Sequence, residues 1–299
     1  MTAYSSITSN KRRSALFIGL FVVLVITVGW AFDQVEDGGT AALPIAGVFA
    51  LGSALTGYFA GDKIALASNG AQPVTKEQAL ELHRLVENLS ITAGLPMPKL
   101  YIIPSPAINA FATGRDPKHA SVAVTTGALE HLEKTELEGV LAHELSHIQN
   151  YDIRLMMIVA VLVGTVVLLG DWFFRSRFLG FGGRGRNRDD RGGGAGNALA
   201  IIGLIFLILS PLIAQLIQLA ISRRREFLAD ASGVLLTRYP TGLASALQKI
   251  QAHHQPVETA NRATAHLYFA NPLSGKALAG LFSTHPPIEA RIQALQEMA

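Results

Sequence analysis

Uncharged apolar runs alternate with periodic, amphipathic stretches along this chain. A polar segment, residues 1–14, ends in Lys11-Arg12-Arg13, and Ala15 to Phe32 then carries no charge. That run is near the shortest length at which a helix spans a bilayer. The following Asp33-Gln34-Val35-Glu36-Asp37 lacks the small-residue cleavage pattern of a signal peptide, so the run is expected to be retained. A second apolar run extends from Ala41 to Ala60, made less regular by Pro44 and several glycines, which membrane helices tolerate. Residues 15–60 are therefore predicted to be two transmembrane helices, with 1–14 a cytoplasmic tail. Basic residues before the first run and Asp33, Glu36 and Asp37 after it set that orientation.

From about Ala71 the pattern is that of a domain in water. Thr75 and Gln78 read as a capping box, and Ala79, Leu82, Leu85, Val86 and Leu89 form the apolar face of a helix that Gly94 ends. Three β-like runs follow: Lys99 to Ile103, Ala107 to Thr113, and Ser121 to Thr125. Thr135 and Glu138 suggest another capping box, and Leu137, Val140, Leu141, Leu145 and Ile148 follow at helical spacing. A third apolar segment occupies 153–174. Residues 175–196 are rich in Gly and Arg, and a fourth apolar run fills 197–222, closed by Arg223-Arg224-Arg225. The fold expected is a mostly helical α+β catalytic domain of zincin type with a small sheet, combined with about four apolar membrane segments. Its two parts are 61–152 and 223–299. The Gly/Arg stretch carries six Arg against two Asp. If segments three and four both cross, that stretch lies outside, which the positive-inside rule disfavours.

Composition agrees with a membrane protein: 49% hydrophobic, 16% charged and a mean hydropathy of +0.33, against about 25% charged for ordinary soluble domains. A net charge of +3 and zero cysteines argue against nucleic-acid binding, a disulfide framework and a thiolate metal site.

The chemistry lies in His143-Glu144-Leu145-Ser146-His147. On a helix the two histidines share one face and can hold one metal ion, while Glu144 is placed to take a proton from water. Two imidazoles without cysteine point to zinc, one ion per chain, with a third ligand to be found. Glu226 and Asp230, one turn apart, offer that ligand and a carboxylate to orient a histidine. They would equally pair with the arginines just before them. His253 and His254 lie in a polar, loop-like stretch. His83, His119, His131 and His266 have no carboxylate pattern around them. Asn109-Ala110-Phe111 reads either as a plain strand or as a sheet edge that pairs with substrate. His285-Pro286-Pro287 opens a last helix that carries Arg291.

These pieces together resemble the HtpX-type membrane zinc metalloproteases, in the larger group that includes the CAAX prenyl proteases. The matching stretches are Asn109-Ala110-Phe111, Leu141 to His147, Arg225 to Asp230, and Thr284 to Pro287 with Arg291. The resemblance implies that His143, His147 and Glu226 bind zinc and that Glu144 is the general base. It makes Asp230 the orienting carboxylate and puts His285 and Arg291 near the reacting atoms. It gives substrate to the Asn109–Phe111 strand. It further implies cleavage of misfolded or damaged membrane proteins at the cytoplasmic face of the bacterial inner membrane, under stress. A CAAX-type prenyl protease and a catalytically latent metal-binding membrane protein are the alternatives. The membrane segments hold almost no ionisable residues away from their ends, which disfavours a transporter.

Overall fold

Three long helices carry the first three apolar runs: α1 (Ala3–Val35), α2 (Ala42–Ser68) and α6 (Asp152–Phe178). The computed structural model describes residues 3–35, 42–178, 223–253, 255–261, 263–273 and 286–299. The three helices pack together. Phe17 and Phe21 of α1 lie against Leu155, Ile158, Leu162 and Val166 of α6. Gly61 lets α2 close onto α6, since a β-carbon there would stand 2.9 Å from Met157 Cγ. Among the described residues one helix, Leu43–Ser68, is long and apolar enough to cross a membrane. Helix α5 (Lys134–Gln149) and the start of α6 meet that criterion only as a pair, bent by 82°. The fourth apolar run and most of the Gly/Arg stretch lie outside the described residues.

The remaining elements are β1 (Gln72–Pro73), α3 (Leu80–Ala93), β2 (Lys99–Ile103), β3 (Ala110–Gly114), β4 (Ala120–Thr125), α4 (Thr126–His131), α7 (Arg223–Thr237), α8 (Pro240–Ala252) and α9 (Ile288–Gln296). The fold is thus mostly helical with one small mixed sheet, ordered β1-β2-β4-β3. β2 runs parallel to β4, whereas β3 and β1 pair antiparallel to their neighbours. Gly94 ends α3 in the left-handed conformation, with φ 65°, as its lack of a β-carbon allows.

Three local expectations shift. Helix α5 starts at Lys134, not after Thr135. The Glu133 N–H donates to the Glu136 carboxylate at 2.7 Å. Ser245 Oγ donates to Glu136 at 2.6 Å and Lys249 Nζ lies 2.7 Å from it, so α8 selects which glutamate closes the helix start. β3 begins at Ala110 and not Ala107. The Thr125 hydroxyl donates to the Ala107 carbonyl and accepts from Asn109 N–H, replacing ladder bonds there. At Thr75 the expected contact forms, its N–H donating to Gln78 Oε1 at 2.9 Å, but regular helix begins at Leu80.

Helix α5 is enclosed by α3, α7, α8 and β3, and Gly139 to Ile148 is buried. Its close approach to α7 depends on Gly233. A β-carbon at that position would stand 3.0 Å from His143 N and 3.3 Å from Ala142 C, backbone atoms of a packed helix that cannot step aside. Gly233→Val is expected to cost about 1–3 kcal/mol through overpacking. Thermal unfolding should show a lowered midpoint, and an unchanged midpoint would mean the two helices are not in close register.

Candidate active site

His143 and His147 point their Nε2 atoms at one another across 3.1 Å. Each ring is held from behind. His143 Nδ1 lies 2.8 Å from Asp230 Oδ1, and His147 Nδ1 lies 3.1 Å from Asp152 Oδ2. A carboxylate only accepts, so each Nδ1 carries the hydrogen and donates it. Two Nε2 lone pairs are therefore left facing each other in a buried space, an arrangement that a cation between them relieves. Glu226 completes the cluster, its oxygens 3.8 Å from His143 Nε2 and 3.7 Å from His147 Nε2. One ligand atom from each of His143, His147 and Glu226 falls within 4.8 Å of the other two. Two imidazoles and a carboxylate around one point are a donor set that fits a divalent metal.

The titration of the site follows from the same contacts. Burial holds the His143 ring down to about 4, against the pull of Asp230. Burial also opposes charge on His147, but its bond to Asp152 and the carboxylates of Glu226, Asp152 and Glu144 outweigh that and push it up to about 9. Burial, aided by Glu226, raises Glu144 to about 7 against the lowering pull of His147. The Ala112 backbone N–H on β3 pulls the other way, and Glu144 Oε2 has no hydrogen-bond partner among the described residues. A buried, under-satisfied carboxylate beside a cation site is suited to carry a proton.

Arg291 lies behind Asp230, with Nη2 3.4 Å from His143 Nδ1 and Nη1 3.9 Å from Glu226 Oε2. It is 1% exposed. Its Nε donates to Asp230 Oδ2 at 2.8 Å, Nη2 to Asp230 Oδ1 at 2.7 Å, and Nη1 to the Phe269 carbonyl at 3.0 Å. This two-pronged pairing, with the His143 bond, keeps Asp230 ionised far below the usual carboxylate range despite burial. The Phe269 ring meets His143 edge-on, with centroids 4.8 Å apart.

The Asn109–Phe111 stretch is buried along the outer edge of the sheet. Asn109 Nδ2 donates to the Ala270 carbonyl at 2.9 Å, and Ala270 N–H donates to Asn109 Oδ1 at 3.1 Å. Phe269 N–H donates to the Ala110 carbonyl at 2.8 Å, and Phe111 bridges Tyr268. The chain's own 268–270 segment therefore takes the edge at Ala110.

Of the other histidines, His119 pairs with Asp116 at the surface, and His131 stacks on His253. Buried His266 lies 2.9 Å from the Met156 carbonyl through Nε2. His254 and His285 lie outside the described residues. The residue that sequence reading missed is Asp152. Its signal was an acid five positions after His147, just past a helix end. Asn150 caps α5, Tyr151 takes a left-handed φ of 59°, uncommon for a residue with a side chain, and the corner returns Asp152 to His147.

Residues 76–299 match the model of Peptidase family M48. Full-length likeness extends to proteins named Protease HtpX homolog. The one from Dictyoglomus turgidum is 46% identical over 99% of this chain and 95% of its own length. That from Caldanaerobacter subterraneus subsp. tengcongensis is 45% identical over 99% of this chain and 98% of its own. Among solved structures, the crystal structure of S. mikatae Ste24p shares the fold, with a TM-score of 0.53 at 18% identity, covering 98% of this chain and 67% of that one. The match over most of the chain, with a buried His/His/Glu cluster beside Glu144, makes this a metallopeptidase that belongs to peptidase family M48, in its HtpX-type branch.

Proposed function

We propose that the chain is a zinc endopeptidase of the bacterial plasma membrane, hydrolysing misfolded or damaged membrane proteins at the cytoplasmic face as part of a stress response. The observation that carries the reading is the pair of Nε2 atoms 3.1 Å apart, with Glu226 and Glu144 beside them. His143, His147 and Glu226 hold the zinc. When bound, the metal supplies a Lewis acid that lowers the pKa of water toward about 7 and polarises a carbonyl. Glu144 takes the proton of the attacking water and gives it to the leaving amine. Asp230 and Asp152 keep both rings turned with Nε2 inward. Arg291 positions Asp230. Substrate backbone pairs along the sheet edge that Asn109, Ala110 and Phe111 open, past the Ala110 carbonyl that Phe269 takes. His285 would help hold the negative charge of the tetrahedral oxygen, on the strength of the resemblance.

The membrane part of the reading is supported by the outward surface of α1 and α2. Val23, Ile45 and Val48 are 61%, 68% and 76% exposed. Apolar surface this continuous is not left to water in monomers, and lipid would cover it. Four membrane segments are assigned, at 15–32, 41–60, 153–174 and 197–222, with the protease domain formed by 61–152 and 223–299. The basic residues at 11–13 keep that domain in the cytoplasm.

Glu144→Gln should retain one zinc per chain and lose casein cleavage by at least about a hundredfold, following the scale of general-base loss. Near-normal proteolysis would remove Glu144 from the mechanism. Glu226→Ala should lower zinc content in elemental analysis, and full occupancy would place the third ligand elsewhere. Asp230→Ala leaves the Arg291 guanidinium buried without its partner, which costs about 3–5 kcal/mol. Denaturant unfolding in detergent should show that loss, and Asp230→Ala with wild-type stability would mean Arg291 finds another anion.

A further inference from the structure

The polar segment ahead of the first apolar run reaches the carboxylate that holds His147. Helix α1 begins at Ala3 and continues into the apolar run without a break, so Asn10 belongs to a continuous helix. Asn10 is 3% exposed. Its Nδ2 donates to Asp152 Oδ1 at 2.6 Å and to the Asn150 carbonyl at 2.9 Å. Its Oδ1 lies 3.5 Å from Arg225 Nη1, which is also 3.5 Å from Asp152 Oδ1. Chemistry fixes this orientation of the amide. Reversed, its oxygen would face a carboxylate and a carbonyl, and its N–H groups a guanidinium. The next residue grips the same corner, with Lys11 Nζ 4.3 Å above the Tyr151 ring.

Asp152 thus has one oxygen on His147 and the other on Asn10. A carboxylate that turns a metal-binding imidazole works only while it is itself held still. Asn10 also touches Arg225, the neighbour of Glu226, so a single side chain joins the turn after His147 to the start of the helix that carries the third donor. We propose that Asn10 is a positioning residue of the metal centre, setting His147 through Asp152, so that residues before the first apolar run are a working part of the site. The inference rests on His147 as a ligand.

The test is the zinc affinity of the full-length protein in detergent, measured by competition with a chromogenic chelator. Asn10→Ala and Asn10→Asp are compared with His147→Ala and with Thr264→Val. The last removes a buried bond to Asn69 and so controls for destabilisation alone. Asn10→Asp keeps the size of the side chain and removes the N–H donor, so it carries the test if Asn10→Ala does not accumulate. Expected is a zinc affinity weakened roughly tenfold or more by either Asn10 change, the range for loss of a ligand's supporting partner. The cobalt-substituted protein should show an altered visible spectrum. Thr264→Val should lower the unfolding midpoint and leave affinity and spectrum as in wild type. If His147→Ala loses zinc while both Asn10 variants bind it as wild type does, the positioning role is overturned and the metal assignment stands. If His147→Ala binds zinc normally, the metal assignment falls and the proposal with it. If Thr264→Val weakens zinc as much as the Asn10 variants do, the effect is general destabilisation and the proposal is overturned.

Discussion

Two imidazole nitrogens held 3.1 Å apart, each with its lone pair inward, make demands that the rest of the structure meets. Each ring needs an anion behind it, and each anion, buried in turn, needs donors of its own. Arg291 meets the need of Asp230 with two parallel bonds, and Asn10 and Arg225 meet that of Asp152. The charges alternate outward from the centre: cation site, imidazoles, carboxylates, then guanidinium groups and an amide. Such a nest of buried charge stabilises a fold only when complete, because any unpaired member carries its full desolvation penalty. The glycine at 233 belongs to the same requirement, since it lets the helix bearing Glu226 and Asp230 approach the backbone of His143.

The core of this site was legible because its chemistry is local in sequence. His143, Glu144 and His147 fall within five residues of one helix, and Glu226 and Asp230 within five of another. Strands at 99–103 and 121–125, and the end of α3 at Gly94, followed from periodicity and a single glycine. The contributions that escaped come from tertiary contacts. Nothing within the stretch around Thr135 shows that Ser245 and Lys249, over a hundred residues away, draw Glu136 into the cap. Nothing around Asn109 shows that Ala270 satisfies its amide. Asp152 stood in plain view as the first residue of an apolar helix, where an acid also favours the helix dipole. Asn10 looked like an ordinary polar residue of an N-terminal extension, and only its burial against a corner 140 positions later reveals its partner.

The apolar helices and the rest of the described chain are therefore parts of one machine. α1 supplies Asn10, α6 begins with Asp152, and the 268–270 segment that takes the edge of β3 lies against α2 and α6 through Tyr268 and His266. Tyr268 donates its hydroxyl to Asn69, just past the end of α2. Ligands and anchors alternate along the chain, so separating the two regions would unseat residues on both sides of the site.

The corner at Tyr151 turns α6 away from α5 by 82°. The helix that carries both histidines therefore runs nearly at right angles to the apolar helix that follows it. Asp152 opens that second helix, so the support of His147 is fixed by the start of an apolar segment and not by the helix of His147 itself. Whatever tilts or shifts α6 moves that carboxylate, and the ring it holds moves with it. The corner thus makes the setting of His147 answer to the packing of the apolar helices.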